Sequence, residues 1–408
     1  MIIEALEEPL WLLTVAMSVQ GRKIEKALAK AADAAEKTKA YALLESYLNK
    51  AETIELKSGL VAGDFFAPWN FLSLFALLYL LMAFVSPIPI IDPAAWATSS
   101  LIFLGSMALL FGTAKKVARR FETLTSKEMD YGKPASAMLF IGSLAIVLNF
   151  LYIGIPALEP AARLHFHNTF YQFFFMVFLA GLALTATKTT KLSRLFTLAA
   201  YAGALTFLTS FRTDFLLSVG PVLLAGTYTG VLSARKLGAI LLMLLPASML
   251  ITILLLFSGD SGSTLDNLIT GRAGFTMYTL TAAYQDAGIW GIAHGGLLLN
   301  SFTQFFTHRI MIGGFAAEYS SLLPRYFTST FAGPLLIDGG ILEVAAMALF
   351  AGAVLGALYG LRQNKAFAAL YSIAMWYTFI WIETGPIQFY FLAMHLLFGY
   401  LALRQTSR

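Results

Sequence analysis

The chain has no cysteine among its 408 residues, which excludes disulfide frameworks, thiolate metal ligation and thiol nucleophiles. It is also poor in charge. Asp, Glu, Lys and Arg make up 12% of it, against 58% hydrophobic residues and a mean hydropathy of +0.72. Soluble domains carry about 25% charged residues, so this is the composition of an integral membrane protein with many spans. No Gly-Lys-Ser/Thr phosphate loop or His-Glu-x-x-His occurs, which argues against nucleotide hydrolysis and intramembrane metalloproteolysis. The acidic pair Glu128-Met129-Asp130 lies in a basic loop, and no equivalent pair falls in a segment expected outside the cell. The net charge of +5 comes mainly from loop anchors and is not a nucleic-acid signature.

What is present begins with an atypical leader. Glu4, Glu7 and Glu8 stand where a cleavable signal needs a basic region, so the first span is expected to direct insertion. Residues 21–58 carry Ile24, Leu28, Ala32, Ala35, Leu43, Leu44 and Leu48 at helical spacing. Residues 1–65 therefore read as interfacial and amphipathic helices, a solvated hairpin packed on the membrane domain or a docking surface for a partner. The expected fold is all-α and polytopic, with about ten transmembrane helices of about 20 residues each. Spans one to seven occupy 66–257, near 69–87, 95–113, 136–156, 169–187, 195–211, 214–232 and 237–257. A long loop fills 258–336, and spans eight to ten occupy 337–408, near 337–360, 366–383 and 387–403.

Every second loop is basic: Lys115 to Lys133, then Lys188, Lys191 and Arg194, then Arg235 and Lys236, Arg362 and Lys365, and Arg404 and Arg408. By the positive-inside rule these loops and both termini are cytoplasmic. The stretch 287–307 is apolar enough to approach a span, but a crossing there would invert the last three helices. It reads instead as interfacial or re-entrant, which suits the cover of a cavity.

The remaining loops hold arginine without lysine. Arg163, Arg212, Arg272, Arg309 and Arg325 fall on the outer face, while all 15 lysines fall on the other. A guanidinium presents a planar fork that pairs bidentately with phosphate oxygens, so the bias points to a phosphate or diphosphate. Arg212 sits in a turn too short to leave the membrane boundary. It reads as an anion clamp, as an ion pair with Asp214, or as a side chain snorkelling to headgroups. His165 and His167 have the spacing of a metal pair without matching acids, so no metal is expected. His308 beside Arg309 is the better acid/base candidate. His395 is expected neutral inside the last span. Glu343 and Glu383 read as counter-ions to the arginines or as groups that poise an acceptor hydroxyl.

Several stretches together resemble the O-antigen polymerase and ligase superfamily, in particular its oligosaccharide repeat-unit polymerases. They are Phe211-Arg212-Thr213-Asp214-Phe215, Gly271-Arg272-Ala273, Gly313-Gly314 through Ser320-Ser321, Phe331 through Gly340, and the span ending Gly356-Ala357-Leu358-Tyr359-Gly360. The similarity covers roughly 70–400 and leaves the first 60 residues unmatched. It implies a C-type glycosyltransferase architecture that takes a glycan from a polyprenyl or dolichyl diphosphate on the outer face, without metal or cofactor. Loop arginines that hold the diphosphate carry over to Arg212, Arg272 and Arg309, then Arg325. Asp214, Tyr319, Tyr326 and Arg163 complete the expected substrate contacts, and His308, Glu318 or Asp338 is expected to receive the acceptor's proton. The expected partners are the lipid-linked oligosaccharide and membrane lipids, with no nucleic acid. Two other readings stay open: a ligase that moves the glycan to another acceptor, and a transporter or flippase of an anionic lipid or sugar.

Overall fold

The computed structural model describes residues 22–34, 65–124 save 89 and 91, 131–240 save 234, 235 and 239, 271–299, 329–386 and 389–406, with single positions 36, 42 and 46. Among these residues every regular element is helical. The chain divides into two compact units. One comprises Met1–Phe65, Ser126–Ser258 and Arg362–Trp376; the other comprises Phe66–Thr125, Gly259–Leu361 and Tyr377–Arg408.

In the first unit, helix α1 (residues 22–34) is amphipathic as its spacing predicts: Ala32 is fully buried, Ile24 and Leu28 half-buried, and Lys23, Lys26 and Lys30 exposed. It is tied to the unit by the Ser136 hydroxyl, which donates to Glu25 at 2.7 Å, and by Lys191, 3.7 Å from Asp33. Helix α4 (Gly132–Ile153) and helix α6 (Thr169–Ala186) pack at backbone distance. A Cβ on Gly142 would strike the Phe178 backbone, and one on Gly181 the backbone of Leu139. Small residues permit this approach, which suits packing in lipid, where apolar bulk alone gives helices no reason to associate. The short helix α5 (Pro160–Phe166) joins them. Helices α7 (Leu192–Phe207) and α8 (Arg212–Tyr228) form a hairpin locked by a 2.8 Å hydrogen bond between the Thr206 and Ser218 hydroxyls.

The second unit contains α2 (Pro68–Phe84), α3 (Pro93–Phe121), α9 (Arg272–Ala287), α10 (Gly333–Gly360) and α12 (Phe389–Thr406); α11 (Lys365–Thr384) contributes to both units. Gly352, Gly356 and Gly360, each four apart, press α10 onto α3 at Leu110, Ala114 and Ala118. Helix α3 starts at Asp92, whose side chain accepts from the N–H groups of Ala94 and Ala95, both at 3.0 Å, with Pro93 in the first turn. The Ala95 N–H, more than the Gln285 amide also bound to it, holds the Asp92 carboxyl below its ordinary range.

Among the described residues, five helices are long and apolar enough to cross a membrane: Pro93–Phe121, Gly132–Ile153, Thr169–Ala186, Gly333–Gly360 and Lys365–Thr384. Pro68–Phe84 and Leu192–Phe207 are shorter apolar helices. Leu74, Leu77, Leu81, Leu144, Leu148 and Leu151 are exposed on α2 and α4, which is unremarkable only where lipid is the solvent. The protein is an integral membrane protein. Helix α3 continues beyond the expected span into the basic segment and carries Lys115, Lys116, Arg119 and Arg120 on its last turns. The expected span at 237–257 lies outside the described residues save 237, 238 and 240.

Candidate functional site

The first unit builds a compact polar cluster where α5, α6 and α8 meet. Asn168 caps α6, its Oδ1 accepting from the Tyr171 N–H at 2.8 Å. The Asn168 amide donates to buried Asn149 at 2.8 Å, and Asn149 in turn donates to the Phe166 carbonyl at 3.1 Å. Gln172 donates to the His167 carbonyl at 2.9 Å. The backbone around His167 is thus held from both sides.

The α7–α8 turn is held just as firmly. Ser210 adopts φ 59, a conformation that L residues avoid and that folded chains keep mostly where function or surrounding structure demands it. The Thr209 hydroxyl donates to the Thr206 carbonyl at 2.7 Å, and the Leu208 carbonyl accepts from Ala157 at 3.1 Å. Arg212, half-buried, is then the first residue of α8. Asp214 lies in that helix's first turn, where the dipole favours a carboxylate.

Asp214 is only 3% exposed. Its Oδ2 accepts from the Tyr171 hydroxyl at 2.6 Å and lies 2.9 Å from His167 Nε2. The His167 ring stacks on Phe211 at 3.7 Å and on Tyr171 at 5.2 Å. Arg163 places its guanidinium 5.1 Å over the Phe211 ring. Arg163 is thereby brought, across 49 positions of sequence, to the residue that precedes Arg212. His165 is exposed whereas His167 is turned into the cluster, and among the described residues no group of three or more possible metal ligands forms.

In the second unit, Arg272 opens α9 and its Nε donates to Glu383 at 2.6 Å. Glu383 is thus a counter-ion. The Tyr79 and Thr276 hydroxyls meet at 2.5 Å one turn further on. Helix α10 is broken at Gly339 (φ −118, ψ 16) and Gly340 (φ 70, ψ −158), the latter open in practice only to glycine. A break strands backbone groups, and residues 289–294 take them up. Ile292 and Ala293 donate to the Ile337 carbonyl at 2.8 and 3.1 Å, His294 to the Asp338 carbonyl at 2.8 Å, and Ile341 to the Ile289 carbonyl at 2.9 Å. Asp338, fully buried, uses its two oxygens to accept from the N–H groups of Leu297 (3.0 Å) and Leu298 (2.8 Å). It caps the helical turn at 296–299. Residues 288–295 are accordingly non-helical, and the rest of the near-span to 307 lies outside the described residues. His395 is buried and stacks on Trp381 at 4.3 Å.

The structure thus places Arg163, Arg212 and Asp214 together in one unit, and Arg272 and Asp338 in the other. His308, Arg309, Glu318, Tyr319, Arg325 and Tyr326 lie outside the described residues. Sequence reasoning passed over His167 and Tyr171 as site residues. The available signal was Asn168, a helix-capping residue that puts Tyr171 in the first turn of α6 and His167 just before it.

The family model described as "Putative O-antigen polymerase" matches residues 64–395, well over half of the chain. No curated protein and no solved structure matches it. On the strength of that match, the chain belongs to the O-antigen polymerase family.

Proposed function

We propose that the protein is a membrane glycosyltransferase that polymerises oligosaccharide repeat units from polyprenyl- or dolichyl-diphosphate donors at the outer face of the plasma membrane, with both termini cytoplasmic. The observation that carries this reading is Arg163 stacked over Phe211, the residue that precedes Arg212 in the turn, beside the buried Asp214 that binds His167 and Tyr171. Guanidinium groups held at a rigid turn are suited to a diphosphate, whose oxygens gain charge as the sugar leaves. On sequence grounds Arg272, Arg309 and Arg325, with Tyr319 and Tyr326, are further candidates for donor binding.

In the reaction, an acceptor hydroxyl oxygen forms a bond to the anomeric carbon as the bond from that carbon to the diphosphate oxygen breaks. The diphosphate leaves with the bonding pair, and a base takes the hydroxyl proton. His308 is the base preferred on sequence grounds, with Glu318 and Asp338 as alternatives. His167 joins them, because a carboxylate at Nε2 orients the ring and leaves Nδ1 to accept a proton. Asp338, with both oxygens occupied by backbone N–H groups, fits better as the residue that positions the 289–299 segment. The absence of an acidic pair from the outer segments supports a reaction without metal.

The test is to incubate the purified full chain in lipid nanodiscs with a polyprenyl-diphosphate oligosaccharide and weigh the products. A ladder at repeat-unit spacing is expected. A single addition to a different acceptor identifies a ligase instead, and unchanged donor with accelerated movement between leaflets refutes the enzyme.

A further inference from the structure

The first unit holds a second polar feature, at the opposite end of α6 from His167. A pocket of about 140 Å³ opens between α1 and the α6–α7 turn. Thr185, Lys188 and Thr189 line it from the end of α6, Arg194 from the first turn of α7, and Glu25 from α1. Among the described residues, the charged groups on this lining are two cations and one acid, and one oxygen of that acid is already held by the Ser136 hydroxyl. Lys188 is set at the pocket by the Gly132 carbonyl, 3.0 Å from its Nζ, and by the Tyr131 ring, 5.7 Å away.

Two lining residues each carry a buried side-chain atom without a partner. Threonines in apolar helices ordinarily return their hydroxyl to a carbonyl of the same helix, as Thr187, Thr197 and Thr206 do here. Thr185 does not: its side-chain oxygen is buried, makes no hydrogen bond, and belongs to a residue only 8% exposed. The Arg194 Nε–H is likewise buried without an acceptor. Buried donors in folded proteins are satisfied almost without exception, so the pair points to a group that fills the pocket. It must accept hydrogen bonds from a guanidinium and a hydroxyl beside an ammonium, which is the chemistry of a negatively charged phosphate.

We propose that this pocket binds an anionic phosphate group, carried by a phospholipid headgroup or free in solution, and that α1 closes over it. Lys188, Lys191 and Arg194 belong to the basic loops, so the orientation proposed above puts the pocket at the cytoplasmic leaflet, where anionic lipids concentrate. Only the side of arrival depends on that orientation; the binding does not depend on the transferase reading.

The experiment is thermal unfolding of the purified full chain in neutral detergent, with no glycan donor present. Phosphatidylglycerol, phosphatidylcholine and inorganic phosphate are added separately to wild type, Thr185→Val, Arg194→Gln and, as control, Lys116→Gln, which alters an exposed lysine on α3. A ligand that binds only the folded state raises Tm with its concentration. Wild type and Lys116→Gln should be stabilised by phosphatidylglycerol, by inorganic phosphate or by both, but not by phosphatidylcholine. Arg194→Gln should lose at least about tenfold in apparent affinity. Thr185→Val should unfold no lower than wild type without ligand, because it removes an unpartnered hydroxyl, yet show a reduced ligand shift. Should Arg194→Gln fail to fold, Thr185→Val carries the test by itself. A shift with phosphatidylglycerol alone identifies a membrane headgroup, and one with inorganic phosphate a soluble source. No shift with either, or equal shifts in wild type and both pocket variants, overturns the proposal.

Discussion

Tyr171→Phe is the most informative single change, because it removes the hydroxyl that binds Asp214 and keeps the ring. The hydroxyl donates to Asp214 at 2.6 Å between residues that are 1% and 3% exposed. The ring itself remains, stacked on His167 at 5.2 Å and on Phe175 at 5.4 Å. A hydrogen bond to a charged acceptor contributes about 1.5–3 kcal/mol, so the variant should lose about that much stability. Asp214→Ala is harsher: it strips both the hydroxyl and the imidazole of their shared acceptor, for a loss of about 3–5 kcal/mol. Once Asp214 is gone, this bond is already lost, so deleting the hydroxyl as well should cost less than it does in the wild type. The four proteins therefore form a cycle whose coupling equals the bond, about 1.5–3 kcal/mol. Unfolding in mixed micelles, titrated with a denaturing detergent and followed by tryptophan fluorescence, measures it. Losses that add to within about 0.5 kcal/mol would refute the claim that Asp214 organises this cluster.

Four further outcomes are expected. Arg212→Lys keeps the charge but loses the fork, so kcat/KM for a lipid-diphosphate donor should fall about 10–1000-fold; unchanged turnover would remove the bidentate clamp. Gly340→Ala forces a side chain into φ 70 and against the Ile289 carbonyl and Trp290; a loss of at least about 1–3 kcal/mol should appear as a lower Tm. Gly356→Leu places bulk on the Ala114 backbone, so a disulfide engineered between α3 and α10 should form more slowly than in the glycine parent. Asp92 titrates below its ordinary value because the Ala95 N–H, foremost, binds its charged form. Its stabilisation is complete above the ordinary carboxylate pKa of about 3.9 and is lost as pH falls through the depressed folded value. Tm should therefore fall more steeply below about pH 4 in wild type than in Asp92→Asn.

The features legible in the sequence were those set by sums over many residues. Apolar runs announced the five helices long enough to cross a membrane, because membrane insertion responds to total hydropathy, which no single contact overrides. Helix α3 outran its expected end for the same reason in reverse: length is set by backbone propensity, and Lys115 to Arg120 remain good helix formers beyond the apolar run. Individual polar residues were legible only as to chemistry. His165 and His167 look alike in sequence. Which one turns inward depends on α5 ending at His167, where the backbone leaves the helix (φ −79, ψ 48), and on Asn168 starting the next helix.

The two buried aspartates show why this limit is physical. Asp214 and Asp338 are both carboxylates at the boundary of an apolar helix, and sequence reasoning placed both in the site. A buried carboxylate must find donors, but sequence does not say whether they are side chains or backbone. At Asp214 the donors are His167 and Tyr171, groups that can exchange protons or bear on a substrate. At Asp338 they include the Leu297 and Leu298 amides, supplied because Gly340 breaks α10 and residues 289–294 fold against the break, with the Glu343 carboxyl beside them. That pairing joins segments 40 or more positions apart through a glycine-only conformation, and no local pattern announces it. The same requirement to satisfy a buried charge thus yields a potential proton-transfer site in one place and a structural cap in the other. Substituting each by asparagine separates them: the Asp338 variant should act on stability first, and the Asp214 variant on the pH dependence of transfer.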